Sequence, residues 1–133
     1  MSDEDVPVSK QSVGENAVTN EKVVVVALPV QEEREAVVSL LEEMGLQVHL
    51  LTSGKQALIT LEDIVCDCLV MDMQLGDMHA WELLGGLREI VDLRRLPVIV
   101  ITNEQSPIPL NNVIPLVRPF AVARLKTLLN RIL

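Results

Sequence analysis

CDCLVMDMQLGDMHAWELL, Cys66 to Leu84, holds an apolar run, CLVM (Cys68 to Met71), that ends on a single carboxylate, Asp72. An unbroken apolar run without alternation is the pattern of a strand covered on both faces. A charge at the end of such a strand is costly unless something pairs with it or uses it. The flanking segments repeat the strand reading and alternate it with helices. VVVVAL (Val23 to Leu28) is a second covered strand, and EEREAVVSLLEEMG places Val37, Leu40, Leu41 and Met44 at helical spacing before the stop at Gly45. QVHLL (Gln47 to Leu51) reads as a strand, and SGKQALITLEDI as a helix opened by Ser53, with Leu58 and Leu61 on one face. After Asp72, AWELLGGLREIV gives Trp81, Leu84, Leu87 and Val91 as the core face of a helix whose Gly85 and Gly86 allow close packing. PVIVIT (Pro97 to Thr102) and VIPLV (Val113 to Val117) are further strands, and AVARLKTLLNRIL closes with a stripe of Val122, Leu125, Leu128, Leu129 and Ile132. Strands alternating with helices in pieces of this size predict a parallel sheet with helices on both faces. In such sheets the working crevice lies outside the carboxyl ends of the strands, so Asp72, Thr102 and Arg118 are expected to converge there.

The chain has 133 residues, enough for one domain with a core, and 49% of them are apolar. The formal charge is −8. That argues against non-specific binding to nucleic acid or an anionic membrane, both of which need clustered Lys and Arg. No apolar run approaches the about 20 residues of a membrane span. Residues 1–21 are polar and unpatterned, with Asp3, Glu4, Asp5, Glu15 and Glu21 against Lys10, and are expected to be a disordered acidic tail ahead of a folded domain over 22–133. MSDEDVPVSK lacks the order of a signal peptide. Cys66 and Cys68 lie two apart, are expected on one face of the strand, and are too far apart for an easy disulfide. They read as reduced core thiols in a cytoplasmic protein. His49 and His79 lie away from them, so no zinc site is expected. Met71, Met73 and Met78 read as core and loop packing.

The order strand–Asp, strand–Thr, strand–basic–Pro resembles the receiver domain of bacterial response regulators, the phosphoacceptor half of two-component signalling. The stretches that carry the resemblance are TSGKQAL, CDCLVMDMQLGDMHAWELL, LPVIVIT and VRPF, spread over about Lys22 to Leu133. It implies an α/β, flavodoxin-like (CheY-like), doubly wound five-stranded parallel sheet in the order 2-1-3-4-5. It implies Asp72 at the phosphoacceptor position, Thr102 at the hydroxyl position that bonds the phosphoryl oxygen, and Arg118 in place of a nearly obligatory lysine. Pro119 matches the proline after that lysine, where a cis bond is expected.

Several positions depart from the family's pattern. The family holds a magnesium ion with a pair of acids at the end of its first strand, yet no residue from Val23 to Val30 is acidic. Glu32 and Glu33 follow in the first turn of the helix, where they are read as favouring its positive end. The aromatic switch position is Pro115, and the chain has no tyrosine. NEQSPIPLNNVIPLV, between Thr102 and Arg118, is shorter than usual and broken by Pro107 and Pro109, so helix four is expected to be reduced or missing. DMHAWE (Asp77 to Glu82) half-resembles a cobalamin motif, but Glu82 stands where that motif needs glycine.

From these departures the expectation is an atypical or pseudo-receiver: not an enzyme, without metal or cofactor, acting by protein–protein contact independently of phosphorylation. Arg118 is expected to pair with Asp72 permanently and fill the site. Ile108 and Leu110 are expected to face a partner, which is another protein, an output domain or a second copy. The alternatives are a conventional receiver phosphorylated on Asp72 by a histidine kinase, and a small-ligand sensor.

Overall fold

The computed structural model describes residues 21–89, 95–103 and 112–133. In chain order these form β1 (Val23–Ala27), α1 (Gln31–Glu43), β2 (Gln47–Leu51), α2 (Gly54–Asp63), β3 (Cys68–Asp72), α3 (Ala80–Arg88), β4 (Val98–Thr102), β5 (Val113–Val117) and α4 (Val122–Ile132). The strands make one five-stranded sheet in the order β2-β1-β3-β4-β5, every pairing parallel. This is the doubly wound, flavodoxin-like sheet expected from the sequence, with four helices among the described residues.

Each side of the sheet has its own core, because alternate residues of a strand point to opposite faces. Val25, Ala27, Leu69 and Met71 face α2 and α3 and pack with Ala57, Leu61, Leu83 and Leu87. Val24, Val26, Cys68 and Val70 face α1 and α4 and pack with Val37, Leu41, Leu125 and Leu129. β1, β3 and β4 are buried through their central residues, which accounts for their unbroken apolar sequences. α1 ends where Gly45 takes φ +76°, a left-handed conformation costly for other residues, and Leu46 N–H donates back to the Leu41 carbonyl at 3.0 Å. Ser53 caps α2, its Oγ accepting from the Gln56 N–H at 3.1 Å.

Three details differ from the sequence reading. Trp81 is not a core residue: it is 45% exposed, and Ala80, Leu83, Leu84 and Leu87 form the buried face of α3 instead. Leu84 and Leu87 are buried as read, and of the described positions in that stripe only Trp81 lies off the core, because the helix begins at Ala80 behind a His79 cap. Val91, the last residue of that reading, lies outside the described residues. Cys66 and Cys68 do not share a core face. Cys66 precedes the strand and packs at the edge of the α2/α3 core, while Cys68 is buried in the other core. Of the two glycines, only Gly86 makes a close approach: a Cβ there would lie 3.1 Å from Leu58 Cδ2, whereas one at Gly85 would meet nothing within 4 Å. Ile108, Leu110 and the shortened helix-four segment fall largely outside the described residues, as does almost all of the acidic tail.

Candidate functional site

Three strand ends meet at one edge of the sheet. Asp72 is the last residue of β3 and Thr102 the last of β4, and Arg118 follows β5 directly. Backbone bonds hold them in register: Met73 N–H donates to the Ile101 carbonyl at 2.9 Å, and Arg118 N–H to the Thr102 carbonyl at 2.8 Å. Asp72 and Thr102 are both buried, at 7% and 3% exposure.

The Asp72 carboxylate is satisfied on both oxygens. Oδ1 accepts from the Gln74 N–H at 2.9 Å, and Oδ2 accepts from Arg118 Nη2 at 2.5 Å. Arg118 also grips a second carboxylate bidentately. Its Nε donates to Glu33 Oε2 at 2.8 Å and its Nη2 to Glu33 Oε1 at 2.6 Å. Its Nη1 lies 3.4 Å from Asn103 Oδ1. The hydrogen bonds to Glu33 raise the Arg118 pKa; partial burial works against them, and the bond to Asp72 adds to the rise. The guanidinium is therefore a permanent cation between two acids.

Glu33 is the residue the sequence reading placed elsewhere. It is not simply a first-turn acid favouring a helix dipole, because both of its oxygens are committed to Arg118. Sequence held a partial signal: α1 begins just beyond the carboxyl end of β1, so its first turn borders the crevice. Choosing Glu33 over Glu32 needed the helix phase in three dimensions, which leaves Glu32 exposed and Glu33 half-buried.

Beside this cluster opens a cleft of about 350 Å³, lined by Asp72, Gln74, His79, Trp81, Thr102 and Arg118 among others. The loop that forms its rim is fixed. Ala80 N–H donates to the Met73 carbonyl at 2.8 Å, and His79 Nδ1 accepts from the Trp81 N–H at 3.2 Å. That bond places the imidazole proton of neutral His79 on Nε2. Trp81 stacks on His79 with ring centroids 6.2 Å apart. The Arg118–Pro119 bond is cis, and Pro115 is exposed on β5, away from the cleft lining.

A divalent ion of the kind the fold family uses needs carboxylate oxygens free to face it. The end of β1 offers Ala27 and Leu28, both fully buried and apolar. The carboxylates that do reach the site, Asp72 and Glu33, are both taken by the same guanidinium nitrogen. This donor set does not form a two-acid metal site, and no group of three or more potential ligands occurs among the described residues.

The sequence model for the response regulator receiver domain matches residues 30–114, a span that contains Asp72 and Thr102. No curated protein matches the chain. Among solved structures it is similar to chemotaxis protein CheY4 of Vibrio cholerae, at 23% identity over 85% of this chain and 99% of that one, with a TM-score of 0.77. It is also similar to the receiver domain of sensor histidine kinase PA1611 from Pseudomonas aeruginosa PAO1, at 22% identity over 84% and 97% of the two chains, with a TM-score of 0.76. The latter structure has magnesium coordinated in its active-site cleft. A putative response regulator from Chloroflexus aurantiacus J-10-fl gives a TM-score of 0.76 at 20% identity, covering 85% and 98%.

These neighbours correct the expectation of a phosphorylation-independent contact module. They are ordinary receivers, and one holds magnesium in its active-site cleft, so they favour a phospho-accepting receiver. The physical premise of that expectation also fails in part: Arg118 does pair with Asp72, yet the cleft beside the pair stays open. The chain belongs to the response regulator receiver domain family, a signalling module rather than a catalytic enzyme.

Proposed function

We propose that this domain is a phospho-accepting receiver in which Asp72 takes a phosphoryl group from a histidine kinase. The observation that carries this reading is the position of Asp72: a buried carboxylate at a strand end, held by a fixed cation, at the wall of an open cleft. Phosphoryl transfer asks little covalent chemistry of the protein and depends on positioning and charge neutralisation. A carboxylate oxygen of Asp72 attacks the donor phosphorus, a new P–O bond forms, and the donor's P–N bond breaks. The electron pair stays on the leaving imidazole nitrogen, and the imidazole departs neutral when its other nitrogen carries the proton.

Each residue of the cluster has work in that step. The Gln74 N–H holds one oxygen of Asp72 and so fixes the plane of the nucleophile. Arg118 offers guanidinium donors to the phosphoryl oxygens and offsets the meeting of two anions. In this reading Thr102, which lines the cleft at the neighbouring strand end, bonds a phosphoryl oxygen through its hydroxyl. No step is assigned to a metal, since the carboxylates present are engaged by Arg118.

Intact mass after treatment with acetyl phosphate tests the reading. The expected result is a single phosphoryl adduct that is absent in Asp72→Ala. No adduct on the native chain, or an adduct that survives in Asp72→Ala, overturns it.

A further inference from the structure

We infer that Glu33 is a positioning residue of this site: from helix α1 it locks the Arg118 guanidinium against Asp72, and so supplies a fixed cation where strand β1 carries no acid. The inference rests on the reading of Asp72 as phosphoacceptor.

The contact is a fork-to-fork pair, the geometry in which arginine is most specifically oriented. Both Glu33 oxygens and two of the three Arg118 nitrogens take part, at 2.6 and 2.8 Å. The residues are 85 apart in sequence, so the contact is tertiary. The side chains are 15% and 23% exposed, so solvent does little to loosen the pair. With Nε and part of Nη2 held by Glu33, the second Nη2 hydrogen reaches Asp72 and Nη1 remains towards Asn103. Nη1 is thus the donor left for a phosphoryl oxygen entering the cleft. Without Glu33, a long side chain with several rotatable bonds would have to find that pose during the reaction, at an entropic cost.

Glu33 also has an opposite effect, which makes the inference testable. Its carboxylate is negative and sits beside the place where an anionic donor arrives. With Arg118 present, the loss of positioning on removing Glu33 outweighs the loss of repulsion. With Arg118 absent, only repulsion is left. The experiment is a four-member rate cycle with acetyl phosphate: the native chain, Glu33→Gln, Arg118→Ala and the double variant. Glu33→Gln alone is expected to slow labelling about tenfold or more. In the Arg118→Ala background the same change is expected to speed labelling about threefold, from relief of one like charge. A residue that only supported the fold would slow both backgrounds, and a charged bystander would speed both; either pattern overturns the inference.

A second readout separates this inference from the reading beneath it. The Arg118 Nε–H is expected as a slowly exchanging nitrogen-15 NMR signal that is lost in Glu33→Gln while the backbone spectrum persists. A locked Nε–H in a native chain that never forms an aspartyl phosphate overturns the phosphoacceptor reading. A phosphorylated native chain whose Nε–H is unchanged in Glu33→Gln overturns the role of Glu33.

Discussion

Arg118 is the residue on which the site turns, because it neutralises two carboxylates whose side chains are only 9% and 15% exposed. Arg118→Ala strands both anions, and partly buried ion pairs broken from one side cost more than pairs removed whole. We expect Arg118→Ala to lower the unfolding free energy by about 2–4 kcal/mol, and a further Asp72→Asn to restore about 1–2 kcal/mol of it. Urea denaturation of the set reads the coupling, and strictly additive losses would show that the two side chains do not interact in solution. The same engagement bears on metal binding. Trp81 lines the cleft, so its fluorescence reports there. Titration with magnesium is expected to give no saturable change in that signal. A saturable change lost in Asp72→Asn would mean that the ion displaces the guanidinium.

Elements meet the site through their ends, and two contacts there are open to test. Asp77, in the loop after β3, accepts from the first backbone N–H groups of α2, Gly54 at 2.8 Å and Lys55 at 3.0 Å. Those bonds, Gly54's first, hold its carboxyl below the usual range. A depressed pKa in the folded chain stabilises above the unfolded value of about 3.9, and that stability is lost as pH falls through the folded value. The melting-temperature gap between the native chain and Asp77→Asn is therefore expected to be widest near neutral pH and to close in acid. A gap that is constant with pH would assign the effect to packing. In α3 the two glycines are not equivalent. Gly85→Ala adds a methyl group to open space and is expected to stabilise the chain by about 0.5–1 kcal/mol through helix propensity. Gly86→Ala presses on Leu58 and is expected to gain less or to destabilise. Equal gains at both sites in thermal unfolding would contradict that packing.

On the scale of the whole molecule, the sheet must end somewhere without recruiting another strand. β5 is an edge. Arg118 N–H points at β4, as does the Asn112 carbonyl, which accepts from Val98 at 2.8 Å, so the even-numbered residues of β5 bond inward. Pro115, an odd position, turns its nitrogen to the open edge, where proline removes a donor that a second chain would use. Pro115→Val is expected to leave the fold intact and to increase self-association in sedimentation velocity. An unchanged sedimentation coefficient at high concentration would show that the edge is already covered. In the interior, burial pushes the Cys68 thiol up to about 12, and the nearby Cys66 and Asp67 add to the rise. The folded chain is expected to resist alkylation at Cys68 near neutral pH, and rapid native-state labelling there would argue against the core as built. Among the described residues no helix is long and apolar enough to cross a membrane.

The strands and helices were legible in the sequence because covered parallel strands are written as unbroken apolar runs and helices as a 3.6-residue stripe, while the sheet order came from the resemblance to receiver domains. β2 and β5 have the bounds read for them, and β3 is the apolar run from Cys68 closed by Asp72. Asp72, Thr102 and Arg118 could be placed together before any coordinates, since strand carboxyl ends of a parallel sheet share one edge. Leu84 and Leu87 were legible as core residues of α3, but the place of Trp81 was not: it fits their apolar stripe as well as Leu83 does, and the His79 cap and the packing against α2 turn it outward. Asp72 could be named as a partner of Arg118, but the second partner, Glu33, was not legible. A first-turn glutamate satisfies a helix end and an ion pair equally well on paper. Which of Glu32 and Glu33 reaches across 85 residues to a guanidinium depends on how α1 is rotated on the sheet, and that rotation is set by the burial of Val37, Leu40 and Leu41. Local pattern therefore determined the elements and the acceptor's place. The charge network around the acceptor was decided by tertiary packing, because ion pairs are chosen by distance in space and leave no periodic trace along the chain.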